Sequence, residues 1–151
     1  MALHVAVIDI GKTNAKLLLI DLATGAEVAV FKTPNRVLPG PPYPHFDIAG
    51  LWAFLLAGLA ELARAHEVSA ISITTHGASA VLVDAGGDLA LPMLDYEFAG
   101  PDELRAEYDA LRPDFAETGS ARLPGGLNVG AQLYWQARRF PEAFARVAHV
   151  L

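Results

Sequence analysis

A chain of 151 residues, 53% hydrophobic and 19% charged, is long enough to bury one core and sets a single globular domain as the ceiling. Its 17 acidic against 11 basic side chains leave a net charge of -6, which offers no cationic footprint for a phosphodiester backbone and argues against nucleic acid as a partner. The absence of cysteine removes zinc-thiolate, dithiol and cysteine-nucleophile chemistry and fits a reducing, cytoplasmic setting.

The chain opens without the basic flank and small-residue cleavage site of a secretory signal. Residues His4 to Ile10 and Ala15 to Asp21 are short runs rich in Val, Ile and Leu. The turn-forming Gly11, Lys12, Thr13 and Asn14 between them predict a hairpin. A turn at Ala23-Thr24-Gly25 leads to a third run, Glu27 to Thr33, which completes a three-strand meander. Pro34, Pro39, Gly40, Pro41, Pro42 and Pro44 then preclude regular hydrogen bonding over a long loop. Asp47 is placed to cap a helix running to about His66. Leu51, Trp52, Phe54, Leu55, Leu56, Leu59 and Leu62 put apolar side chains on nearly every side of it, which predicts burial between a sheet and another layer. Glu61 and Arg64 interrupt that apolar stretch, so a core helix is expected and not a bilayer span.

Ser69 to Thr75 reads as a fourth strand and Ala80 to Asp84 as a fifth, with Gly86-Gly87-Asp88 turning the chain into a further extended run, Leu89 to Leu94. After Pro101, the spacing of Asp102, Glu103, Leu104, Glu107, Tyr108 and Leu111 is helical, with acidic residues in the first turn, and the helix ends near Pro113. Arg122 to Asn128, containing Pro124, Gly125 and Gly126, must be a loop; Ala131 to Arg139 forms a helix and Pro141 opens a last short one. Trp52, Phe54, Tyr134 and Trp135 sit at helical spacing among aliphatic neighbours and are expected in the core. The closing run Val147 to Leu151 has no polar terminator, which reads as an incomplete domain.

Residues suited to chemistry concentrate in Val5 to Lys16. A strand ends in one carboxylate, Asp9, able to hold a hydrated Mg ion; Gly11 lets the backbone approach phosphate oxygens; Thr13, Asn14 and the turn amides can donate; Lys12 or Lys16 adds positive charge. The bland alternative, that Asp9 and Thr13 only satisfy turn amides, stays open at this point. Further along, a strand runs into Thr75-His76-Gly77-Ala78, and Pro92 leads to Asp95-Tyr96-Glu97. A lone strand-end histidine is commonly just hydrogen bonded, and Asp95 and Glu97 can simply begin a solvated loop; carboxylates also accept hydrogen bonds from sugar hydroxyls. His45, His66 and His149 lack metal-ligand spacing.

The first segment resembles the phosphate-binding hairpin of the actin, hexokinase and Hsp70 superfamily. Together with His76-Gly77-Ala78, Pro92 to Glu97, and the stretch from Thr118-Gly119 through Gly125-Gly126 to Trp135 and Pro141, it is similar in order and spacing to the FGGY carbohydrate kinases. That resemblance implies an α/β fold of the ribonuclease H-like type, a mixed sheet flanked by helices, as an incomplete N-terminal domain over residues 1-151. It implies ATP and Mg as cofactors, with Asp9, Gly11, Lys12, Thr13, Asn14 and Lys16 around the phosphates and Asp9 acting on the metal. His76, Gly77, Asp95 and Glu97 would face the sugar, no membrane is involved, and a homodimer is left open. The family's catalytic base is an Asp in a later Gly-Asp type motif, so none of these residues is assigned that role. Xylulokinases carry a small hydroxyl residue where Lys12 stands and a Trp-Asn-Asp-Gly-Arg type cluster where this chain has Leu94 to Phe98; the lysine-containing loop is more like fuculokinases and rhamnulokinases. Two rival readings are a ribonuclease H-like nuclease with metals between Asp9, Glu61 and Asp84, and a non-catalytic nucleotide- or sugar-sensing module.

Overall fold

The described residues are 3-151 of a computed structural model. In chain order they form β1 (His4–Ile10), β2 (Asn14–Asp21), β3 (Ala26–Pro34), β4 (Val37–Leu38), β5 (His45–Phe46), α1 (Ile48–Ala65), β6 (Val68–Thr75), β7 (Leu82–Val83), a 3-10 segment (Gly100–Leu104), α2 (Arg105–Asp109), α3 (Phe115–Thr118), α4 (Val129–Arg139), α5 (Pro141–Phe144) and β8 (His149–Val150). The chain divides into two compact units. One comprises the chain to Val37 with Asp47–Gly77, the other Leu38–Phe46 with Ala78–Leu151.

In the first unit, period-two alternation sorts the strands into two faces. Ala6 and Ile8 of β1 and Ala15, Leu17 and Leu19 of β2 are buried, while their neighbours point the other way. The sheet order is β3-β2-β1-β6, with β1 antiparallel to β2 and parallel to β6, so it is mixed, as the family resemblance implies. A parallel pair needs a crossover, and α1 supplies it. Asp47 starts the helix as expected, its Oδ1 accepting the Gly50 N–H at 2.9 Å, and the extended backbone of His66 stops it. Leu55, Gly58 and Leu62 face the sheet and complete a core with Ala6, Ile8, Leu17 and Leu19. A Cβ on Gly58 would lie 2.7 Å from Leu17 Cδ2 and would have to displace that buried side chain, so helix and sheet approach closely here.

The helix is less enclosed than its composition predicts. Trp52 is 62% exposed, and Leu56 is exposed too, because only one flank of α1 meets the sheet; Trp52 is therefore not a core residue. Phe54 does pack against the core. By length and composition alone α1 is long and apolar enough to cross a membrane, but its Leu55, Gly58 and Leu62 are spent on the sheet. β6 likewise carries exposed Ile71 and Ile73.

The second unit is built around α4, which buries Ala131, Gln132, Trp135 and Gln136. Trp135, Tyr43, Phe140 and Phe98 meet edge to face with centroids 5.3 to 5.6 Å apart, the arrangement that ring quadrupoles favour. The Tyr43 hydroxyl donates to Pro92 O and accepts from Gln136 Nε2, each at 2.8 Å. Burial pushes its pKa up to about 12, against a smaller lowering by the Gln136 hydrogen bond. Arg122 ties Asp102 and Asp109 together, and Asp102 also accepts from the Gly125 N–H.

Three local expectations are corrected. The proline-rich loop is not wholly irregular, since β4 and β5 pair with each other on either side of the prolines. The strand predicted over Ala80 to Asp84 shrinks to β7, because Asp84 Oδ1 turns back to accept from Gly86 and Asp88 and ends the ladder. Leu89 to Leu94 makes only isolated bridges, at Leu89 to Val83 and Leu94 to His45. The C-terminal apolar run instead pairs as β8 with β7.

Candidate functional site

The hairpin predicted from His4 to Asp21 forms as expected, and its register builds more than the sequence reveals. Lys32 of β3, Lys16 of β2, Asp9 of β1 and Thr74 of β6 are direct cross-strand partners. Directly paired residues share a face, so these four make one polar row across all four strands, on the side opposite the Ala6 and Ile8 face that α1 covers. Asp9 and Lys16 approach to 4.0 Å with both side chains about two-fifths exposed, so neither charge is sealed away from a ligand.

The turn beyond this row is held from behind by Asn35. The Gly11 N–H donates to Asn14 O at 2.9 Å, and the Asn14 side-chain amide donates to Thr13 Oγ1 at 3.0 Å. Asn35 then donates twice, from its backbone to Thr13 O at 3.0 Å and from Nδ2 to Gly11 O at 2.9 Å. In a trans peptide the N–H lies opposite the C=O, so both carbonyls are drawn toward Asn35 and the Lys12 and Asn14 amides are turned the other way. Amides presented by a short turn next to a cation are suited to an anion. Asn35 is 8% exposed, and its Oδ1 is a buried acceptor with no protein donor.

His76 joins this end of the sheet, its N–H donating to Ile10 O at 2.8 Å and its Nδ1 lying 3.1 Å from Gly77 O. The first unit therefore gathers Asp9, Gly11 to Asn14, Lys16, His76 and Gly77 where β1 and β6 end and β2 begins. Asp95 and Glu97 belong to the second unit. There Asp95 is buried and in part performs the bland role, accepting the Glu97 N–H on Oδ1 at 3.2 Å, while Glu97 is exposed. Tyr134, expected in the core, is half-buried and donates to Glu107; desolvation first, then the Glu107 bond and charge, raise its pKa.

Among the described residues no group of three or more His, Cys, Asp or Glu side chains is placed to hold a metal. Of the carboxylates in the two-metal nuclease reading, Glu61 lies exposed on α1 and Asp84 is engaged in its own turn. A nucleotide-bound Mg makes a smaller demand, usually one or two carboxylates with water and the phosphates completing the shell. The accessible Asp9 beside Lys16 fits that demand.

No protein-family model matches the chain, and no curated protein does. Solved structures do match. A carbohydrate kinase from Novosphingobium aromaticivorans superposes with a TM-score of 0.85 at 37% identity over 93% of this chain. By fold and sequence the chain groups with the carbohydrate kinases. A xylulose kinase from Rhodospirillum rubrum matches 97% of it at 30% identity and a TM-score of 0.74. A gluconate kinase from Lactobacillus acidophilus, at 15% identity and a TM-score of 0.81, speaks for the fold alone. The chain spans 30 to 32% of the length of these carbohydrate kinases.

Lys32, Thr74 and Asn35 were missed by sequence reasoning. Strand register could have reached Thr74 once β6 was known to lie beside β1. Nothing local signals Asn35, whose partner Gly11 is 24 residues away.

Proposed function

We propose that the chain is the N-terminal part of an FGGY-type, ribonuclease H-like kinase that transfers a phosphoryl group from ATP to a ketose or deoxy-ketose such as xylulose, fuculose or rhamnulose. Phosphoryl transfer is dominated by positioning and charge neutralisation, so a phosphate-binding surface comes before any covalent chemistry. The observation that carries the reading is the row Lys32-Lys16-Asp9-Thr74 below a turn whose carbonyls are tied back by Asn35. Lys16 and Lys32 offset phosphate charge, the Lys12 to Asn14 turn supplies donors, and Asp9 holds the hydrated Mg. When bound, that ion neutralises charge on the phosphates. His76, Gly77, Asp95 and Glu97 contribute to sugar recognition, and the catalytic base is assigned to none of the residues present.

Titration of the isotope-labelled chain with MgATP tests this. Amide signals of Gly11 to Asn14 and Lys16 are expected to move first, with the Mg dependence lost in Asp9→Asn. A turn that does not respond to MgATP removes the phosphate assignment. Xylulose, fuculose and rhamnulose should shift His76, Gly77 and Asp95 to Glu97 without sugar-dependent ADP formation by this chain alone. Sustained turnover would place a base among its residues and contradict the assignment.

A further inference from the structure

Ala78, the residue immediately after His76-Gly77, has φ of +57°, and among the described residues no other non-glycine lies at positive φ. An alanine there places its Cβ against the following carbonyl, a strain of about 1–2 kcal/mol that persists only where neighbours hold it. The holder is Gln132. This side chain of α4 is 1% exposed, and its Nε2 donates one N–H to Ala78 O at 2.7 Å and the other to Gly126 O. Gly126 in turn donates its N–H to Tyr96 O at 3.0 Å, and a Cβ at Gly126 would stand 3.0 Å from Tyr96 Cα. One amide group thus fixes the strained Ala78 and, through Gly126, the backbone between Asp95 and Glu97, all within the second unit.

We infer that Gln132 is a positioning residue for sugar recognition: it holds Ala78 in its left-handed conformation and, by anchoring Gly126 against Tyr96 O, fixes the backbone between Asp95 and Glu97. The inference rests on the sugar-kinase reading above. A glutamine that only satisfied loop carbonyls would have no bearing on Ala78 φ, whereas a positioning glutamine couples the two residues energetically. Two donors are needed because two carbonyls converge. Methionine has the length and neither donor, and glutamate when ionised has acceptors only.

The test compares the full chain with Gln132→Met, and Gln132→Met with Ala78→Gly, by NMR and by xylulose titration. Gln132→Met should release Ala78 from positive φ, seen in its HN–Hα coupling and Cβ shift, and weaken xylulose binding about tenfold, the scale of one lost buried hydrogen-bond pair. Glycine adopts the left-handed conformation without strain, so Ala78→Gly should restore most of that binding in the Gln132→Met background. Xylulose binding undiminished in Gln132→Met, or not restored by Ala78→Gly, overturns the inference while the sugar reading stands. An unmodified chain that gives no xylulose response overturns both. If Gln132→Met does not fold, Gln132→Glu replaces it: binding should be weak at neutral pH and recover on acidification, as the protonated acid regains one donor. A pH profile matching that of the unmodified chain refutes the role.

Discussion

Replacing Asn35 by leucine separates folding from the proposed phosphate binding of the β1–β2 hairpin. The substitution deletes the Nδ2 bond to Gly11 O, a net loss of about 1 kcal/mol, and also removes a buried Oδ1 with no protein donor, whose burial costs about 1–3 kcal/mol. Leucine keeps the branched heavy-atom skeleton, but its methyl groups are bulkier than the amide at an 8% exposed position. Overpacking of about 1–3 kcal/mol is set against relief of the buried Oδ1, so overall stability should fall by no more than about 3 kcal/mol. The backbone bond from Asn35 to Thr13 O survives, while Gly11 O loses its anchor. The Lys12 to Asn14 turn should then open about fivefold more readily, the equivalent of one hydrogen bond. Thermal melts would report the first quantity, amide exchange of the turn the second, and a MgATP titration the consequence. A loss above about 3 kcal/mol with unchanged exchange in the turn would refute the reasoning and make Asn35 an ordinary core residue.

Alkaline pH provides a second check, through Tyr43. Its folded pKa of about 12 lies above the ordinary 10, so the stability it confers is complete below pH 10 and is lost as pH rises from 10 through 12. The full loss is on the order of 2–3 kcal/mol, and urea unfolding at stepped alkaline pH should show a steeper decline for the native chain than for Tyr43→Phe. Gly126→Ala should destabilise by about 1–3 kcal/mol, because the new methyl meets the Tyr96 backbone at 3.0 to 3.1 Å, where nothing flexible can yield. Chemical denaturation would measure it.

The hairpin, the third strand, the Asp47 cap and the crossover helix were legible because they are local, depending on alternation, a turn cluster and one side chain reaching three residues ahead. The row of charges was not. Counting back from the turn after Asp21 would pair Lys16 with Phe31, but the register slips between Leu19 and Ile20, so Lys32 takes that place and Phe31 turns toward the α1 core. An irregularity of one residue leaves no trace in composition. Leu89 to Leu94 bends at Ala90 and Leu91 and makes only isolated bridges, and apolar content cannot distinguish that from a ladder. Trp52 was misplaced because apolar residues all round a helix do not reveal how many of its sides are covered. Gln132 and Asn35 act on main-chain atoms 54 and 24 residues away, which no window along the sequence spans.

β6 lies at the end of its sheet, with Ile71 54% and Ile73 67% exposed. Its eight residues, VSAISITT, contain neither charge nor proline, the devices by which proteins usually blunt such a border. In concentrated solution the unpaired amides and carbonyls of this strand are a template on which copies of the chain can add to one another, and a lysine at Ser69 or Ser72 would be the simplest gatekeeper against precipitation.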